Sequence, residues 1–292
     1  MNRRNFFRLA CATSFAMLTI TIACNITIAA DPADQPDVIK RQFFAFDNGM
    51  NRIKSLDEKA DLLKELGYDG VGWRIGVQPA EMIEALDRRD LKMFGTYAHC
   101  KVDAENPSID ERIAGEIELL KKHKTIIWLN VGRGKDANDE IAVKLINAVA
   151  DMAEQAGLQV ALYPHVSCYV ETVEDAIRLA DKIDRPNVGV SVNLCHFLKT
   201  DDEKNLESVL KKAAPRLMLV SINGADSGET QTMGFGRLIR PLGEGTFDNS
   251  TFMKLLDEIG YTGPVGLQCY NIRGDDRVNL KKSIDAWHKL NK

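Results

Sequence analysis

Several features that would narrow a function at once are missing from this chain. Only five histidines and six cysteines occur in 292 residues. No two cysteines stand in a C-x-x-C spacing, which argues against a structural zinc framework. There is no basic excess: acidic residues outnumber Lys and Arg by 42 to 38, and the first 30 residues hold three arginines and no acid, so the remainder carries a formal charge of −7. A phosphate-tracking surface, and with it nucleic-acid binding, is therefore not favoured. After Asp37 there is no low-complexity segment or long linker, and no Ser-His-Asp ordering stands out. Gly132-Arg133-Gly134 is too short a glycine pattern to serve as a phosphate loop.

What is present begins with a leader. Arg3-Arg4-Asn5-Phe6-Phe7-Arg8 is followed by an apolar stretch from Leu9 to Ile28 and by small residues at Ala29-Ala30 before the polar Asp31-Pro32. This order predicts a twin-arginine-like export signal over residues 1–30, cleaved near Ala30. The expected location is periplasmic or extracytoplasmic, with no stable membrane span once the signal is removed. An uncleaved anchor is the competing reading, weakened by the threonines and Asn25 in the stretch. The rest, residues 38–292, has the length of one domain and no room for a second.

Eight short β-branched or apolar runs alternate with helix-patterned segments in that remainder. They are Phe43–Phe46, Gly70–Trp73, Lys92–Tyr97, Thr125–Val131, Gln159–Tyr163, Val188–Val192, Leu217–Ile222 and Val265–Cys269. The alternation predicts a single α/β domain, a (β/α)8 TIM barrel, whose active face lies at the strand ends. At or just past those ends stand Asp47, Arg74, His99, Arg133, His165, Asn193 with His196, Asn223 and Gln268. Helix signals fall between the runs: Ser55 with Glu58 and Gly67 bound a helix over Leu56–Leu66, Ser108 is expected to start one reaching His123, and Thr172 opens Val173–Ile183. Cys168 and Cys195 follow neighbouring strands, so a disulfide between them is conceivable in an oxidising compartment. The irregular stretch from Gly224 to Asp248 is expected to lie across the barrel mouth.

Tyr163-Pro164-His165, Asn193-Leu194-Cys195-His196, Ser221-Ile222-Asn223-Gly224, Gly266-Leu267-Gln268 and the stretch Pro241-Leu242-Gly243-Glu244-Gly245 resemble the active-site strands and a loop of the xylose isomerase-like barrels, the sugar isomerase/epimerase family. That resemblance spans the whole domain and implies a polyol-shaped pocket. It also implies a divalent cation held by Glu, Asp, His and Glu, which fall here on Tyr163, Asn193, Ser221 and Gln268. All four positions are changed. Amides and hydroxyls are poor replacements for anionic or imidazole ligands, so no metal is expected at these positions and no other cofactor; a different metal site, a facial triad of His165, His196 and Glu171, is the alternative. A neutral pocket suits an uncharged small-molecule sugar instead.

His165 and His196 follow neighbouring strands and are the expected catalytic acid and base, with Glu171 as a third candidate. Tyr163, Asn193, Asn223, Gln268, His99, Arg133 and Trp73 are the expected substrate-binding residues. His123 and His288 sit on helix patterns and are expected at the surface. The sequence thus points to an exported sugar isomerase, epimerase or lyase-like enzyme. A non-catalytic carbohydrate-binding barrel is the alternative, and the endonuclease IV-like branch of the fold is remote because its metal ligands and basic groove are missing.

Overall fold

The computed structural model describes residues 39–291, so the leader lies outside the described residues. Eight parallel strands close into a barrel: β1 (Phe43–Phe46), β2 (Gly70–Arg74), β3 (Lys92–Val102), β5 (Ile126–Arg133), β6 (Val160–Tyr163), β7 (Val188–Asn193), β8 (Leu217–Ile222) and β9 (Val265–Leu267). The last pairs with the first, Phe44 opposite Gly266, so no edge remains in the barrel. Each strand stands where a short apolar run was expected.

The chief departure is in β3, which continues five residues past Tyr97 because its end turns back on a short antiparallel partner, β4 (Ser108–Ile109), with Lys101 opposite Ser108. Ser108 therefore does not start a helix. The helix there is α3 (Arg112–Leu120), and the Asp110 carboxylate accepts from the Arg112 N–H at 3.1 Å. Local signals hold elsewhere. At α1 (Leu56–Leu66) the Ser55 hydroxyl accepts from Glu58 N–H and Gly67 takes the left-handed conformation, φ 87°. At α5 (Val173–Ile183) Thr172 and Asp175 form a reciprocal capping box. Helix α2 (Pro79–Asp87) starts on a proline at its first turn and buries Met82, Ile83 and Leu86. The outer layer is completed by α4 (Asp139–Gln155), α6 (Leu194–Thr200), α7 (Leu206–Ala213), α8 (Phe235–Leu238), α9 (Asn249–Glu258) and α10 (Asp276–Leu290).

Two cores result. One lies between strands and helices; the other fills the barrel with Phe44, Phe46, Phe94, Trp128, Tyr163 and Leu219. Trp128 stacks on Tyr163 at 3.8 Å between ring centroids and on Phe46 at 4.7 Å. Its indole N–H donates to Ser191 Oγ at 2.6 Å, and that hydroxyl donates to the Leu162 carbonyl at 2.9 Å. Room for so many rings comes from glycine. A Cβ on Gly72 would stand 2.3 Å from Phe46, and one on Gly266 would stand 2.7 Å from both Phe44 and Phe46. Because side chains alternate along a strand, Gly72 facing inward sends Trp73 outward into the helix layer. There Trp73 is buried, donates to the Val77 carbonyl at 2.6 Å and lies under the Lys59 ammonium. It is not positioned to bind a substrate in the barrel mouth.

Among the described residues no helix is long and apolar enough to cross a membrane. His123 is also not a simple surface residue. Its Nδ1 accepts from Met93 N–H at 3.0 Å and its Nε2 lies 3.0 Å from Asp87, so it joins β3 to α2.

Candidate active site

The aromatic column ends at Tyr97 and Tyr163, and above it a cavity of about 550 Å³ opens at the C-terminal ends of the strands. That is the face where barrels of this kind carry their sites. On one side stand Asp47, Asn48 and Asn51, just after β1, with Arg74 at the end of β2; on the other are His165, after β6, and His196, in α6. Tyr97, His99, Asn130 and Gln268 line the floor and walls, and Phe235, Ile239 and Tyr270 complete the rim. The Gly224–Asp248 stretch supplies two of these rim residues, as its length led one to expect. It is pinned by the Gly224–Arg240 bridge and by Asp226, which pairs with Arg237 and Arg240 at 2.8 Å each. Those arginines are thereby committed to the loop.

Of the ten residues singled out in the sequence, five line the cavity: His99, Tyr163, His165, His196 and Gln268. The rings of His165 and His196 lie 4.0 Å apart. Burial pushes the His196 imidazole down to about 3, helped by the neighbouring His165, and burial also lowers His165. Both rings are thus neutral near pH 7, where the sequence suggested groups titrating near neutrality. Hydrogen bonds set their tautomers. His165 Nδ1 lies 2.9 Å from the Val166 carbonyl, which can only accept, so its Nε2 is an acceptor. The Val166 N–H approaches His196 Nδ1 at 3.5 Å, which leaves the proton of the neutral ring on Nε2. One ring offers an acceptor and the other a donor.

The remaining five do other work. Asn193 is the N-cap of α6: its Oδ1 accepts from Cys195 N–H at 3.1 Å and His196 N–H at 3.4 Å, while its Nδ2 donates to the Tyr163 hydroxyl at 3.3 Å. The Asn-x-x-His spacing is thus a cap and its third helical residue, a signal the sequence does carry. Asn223 is fully buried and donates to the carbonyls of Gly224 and Leu238 at 2.8 and 2.6 Å, tying down the rim loop. Glu171 accepts from Ser167 N–H at 2.8 Å, and Arg133 reaches the Cys168 carbonyl at 3.3 Å and covers the Tyr169 ring. These two brace the turn that carries His165, where Ser167 is held at φ 67°. Trp73 faces the helices. Cys168 and Cys195 are both free thiols, Cys195 donating to Asn193 Oδ1 at 2.9 Å.

The positions that would hold a cation do not fit one. Both amide oxygens are already taken, Asn193 Oδ1 by the α6 cap and Gln268 Oε1 by Asn48 Nδ2 at 2.8 Å and by the N–H groups of Cys269 and Tyr270. Burial holds the Tyr163 phenol well above its ordinary value, so a phenolate ligand is not available, and Ser221 adds only a hydroxyl. Among the described residues no group of three or more His, Cys, Asp or Glu is placed to hold a metal.

Asp47 is the group the sequence did not single out for chemistry, though it marks the end of the first run. Its side chain is 1% exposed and paired through Oδ2 with Arg74. Burial raises its carboxyl, an effect that the adjacent Arg74, then Lys59 and the Asn48 backbone, offset only in part.

The profile of the xylose isomerase-like TIM barrels matches residues 60–290. The chain belongs to that family. Among characterised relatives, an inosose isomerase of Bacillus subtilis is 24% identical over 164 residues, covering 53% of this chain and 58% of the relative. A ketose 3-epimerase of Arthrobacter globiformis is 28% identical over 157 residues, covering 53% and 48%. The alignments with these two thus span about half the length of either protein. In fold, the 3-keto-D-glucoside 4-epimerase of E. coli superimposes with a TM-score of 0.67 at 18% identity, over 86% of this chain and 99% of the other. These three are an isomerase and two epimerases.

Proposed function

We propose that the chain is an exported isomerase or epimerase acting on an uncharged sugar or keto-sugar by proton transfer without a metal. The observation that carries this reading is the pair of neutral imidazoles 4.0 Å apart at the cavity wall, one presenting a donor and the other an acceptor. A neutral imidazole N–H can polarise a ketone oxygen as the adjacent carbon loses its proton, since it stabilises the oxyanion without a bound cation. His196 Nε2–H takes that role here. His165 Nε2 accepts from a substrate hydroxyl or takes up a proton. The amides and hydroxyl of Gln268, Asn130 and Tyr163, beside an Asp47 and an Arg74 that neutralise each other, support an uncharged polyol. Export rests on the paired-arginine leader.

The test is solvent exchange. Purified protein incubated in deuterated water with D-fructose, D-tagatose, D-psicose, an inosose and a 3-keto-glucoside should place deuterium beside the carbonyl of at least one, followed by proton NMR. His196→Gln and His165→Gln should each slow exchange by about 100-fold or more while sugars still raise the melting temperature. Sugar binding without exchange in the wild type would instead favour the non-catalytic carbohydrate-binding barrel, which the loss of family carboxylates at Tyr163 and Gln268 also supports. A fusion of the first 30 residues to a folded reporter tests export; retention that is unchanged by Arg3→Lys and Arg4→Lys would sink it.

A further inference from the structure

Three buried polar atoms without a hydrogen-bond partner among the described residues belong to cavity-lining side chains: Asp47 Oδ1, Asn48 Oδ1 and the Tyr97 hydroxyl. Asp47 and Asn48 are adjacent in the chain just after β1, and Tyr97 lies in β3, on the far side of β2. A buried polar atom left without a partner is destabilising, so several at one cavity mark a surface shaped for a polar ligand. Asp47 is the one of the three that can serve as a base, since Asn48 is an amide and burial holds the Tyr97 phenol well above its ordinary value. We propose that Asp47 is the catalytic base of this site, its free Oδ1 removing and returning the carbon-bound proton beside the substrate's carbonyl, with Arg74 as the residue that positions it.

The step balances without a co-reactant. Oδ1 takes the proton, the C–H electron pair becomes the carbon–carbon double bond of an enediolate, and the carbonyl electron pair moves onto oxygen, to which the His196 N–H donates a hydrogen bond. Reversal delivers a proton, or a deuteron after exchange with solvent, back to carbon. The geometry suits the role. Arg74 Nε holds Oδ2, so one carboxylate oxygen is fixed and the other is unengaged. The Asp47 side chain is 1% exposed, whereas that of Arg74 is 52% exposed, so bulk water meets the guanidinium more readily than the base.

Charged and titratable groups facing Asp47 are Arg74 from β2, Lys59 from α1, Tyr97 from β3 and Cys269 after β9. Arg74 and Lys59 favour the carboxylate, while burial opposes it and raises the carboxyl overall. A raised carboxyl is a stronger base than an exposed one, which is what proton abstraction near neutral pH requires. His196, lowered to about 3, is too weak a base for the same task.

This inference rests on the proton-transfer reading above, and the same ketose panel separates their failures. In deuterated water Asp47→Asn should lose exchange by about 10²–10⁴-fold while keeping the sugar-induced rise in melting temperature. Asp47→Glu should retain part of the rate. Arg74→Gln should shift the acid limb of the exchange rate to higher pH, because the guanidinium lowers the Asp47 carboxyl; a structural role alone would change the rate without moving the limb. Exchange at the wild-type rate in Asp47→Asn, with loss in His196→Gln, overturns the assignment and leaves the function standing. No exchange by the wild type with any of these sugars overturns both. If Asp47→Asn does not fold, the Arg74→Gln profile decides, and an unmoved acid limb rejects the proposal.

Discussion

Replacing Asn193 with alanine tests whether this residue builds the site or contacts the ligand. The substitution removes the acceptor for two N–H groups at the start of α6 and the donor to the Tyr163 hydroxyl. Loss of an N-cap costs about 0.5–2 kcal/mol, and a buried hydroxyl deprived of its partner adds about 1–3 kcal/mol. Asn193 is 1% exposed, so water cannot replace either bond. The sum is about 1.5–5 kcal/mol, or roughly 3–20 °C in melting temperature for a domain of this size. Urea unfolding followed by circular dichroism gives the first quantity and calorimetry the second. Asn193→Ser, which keeps a capping oxygen, should recover about 1 kcal/mol. An alanine variant melting within about 1 °C of wild type, with sugar affinity nevertheless reduced, would refute the capping argument and place Asn193 on the ligand.

Three further outcomes follow from the same geometry. Gly72→Ala should destabilise by about 1–3 kcal/mol or more, since its Cβ would stand 2.3 Å from Phe46, and Phe46→Leu should relieve part of that loss; an alanine variant as stable as wild type would mean that the ring column yields freely. Stability should also respond to acid through His196. In the unfolded chain this ring takes a proton at its ordinary value of 6.5, but in the folded protein not until about 3, so its stabilising effect is complete above 6.5 and lost progressively as pH falls toward 3. The stability difference between wild type and His196→Gln, read by urea unfolding between about pH 7 and 4, should therefore shift against the wild type, and a constant difference would contradict the buried neutral ring. Finally, dialysis against a chelator should leave sugar-induced stabilisation and any exchange activity unchanged, because the amide oxygens of Asn193 and Gln268 are committed within the protein; stoichiometric metal that disappears in Gln268→Leu would refute this.

The sequence alone determined the eight-fold alternation, most helix limits and the end of the barrel at which the site stands. These depend on neighbours in the chain: an apolar run followed by a cap, as at Ser55 with Gly67 or Thr172 with Asp175, specifies a strand or helix locally. Where a distant partner intervened the local signal was overridden, as at Ser108, which pairs with Lys101 instead of starting a helix. Within the site, tertiary structure decided which strand-end residues meet. Trp73 was turned outward by the inward glycine beside it, Asn193 and Asn223 were consumed by backbone groups, and Glu171 and Arg133 were drawn into bracing the His165 turn. Asp47, paired to Arg74 on the neighbouring strand, became a buried carboxyl with one free oxygen only once the barrel had closed. The protonation of His196 was decided in the same way. Spacing can bring an imidazole to a strand end, but its charge state depends on how much water the assembled walls exclude, and no local pattern encodes that.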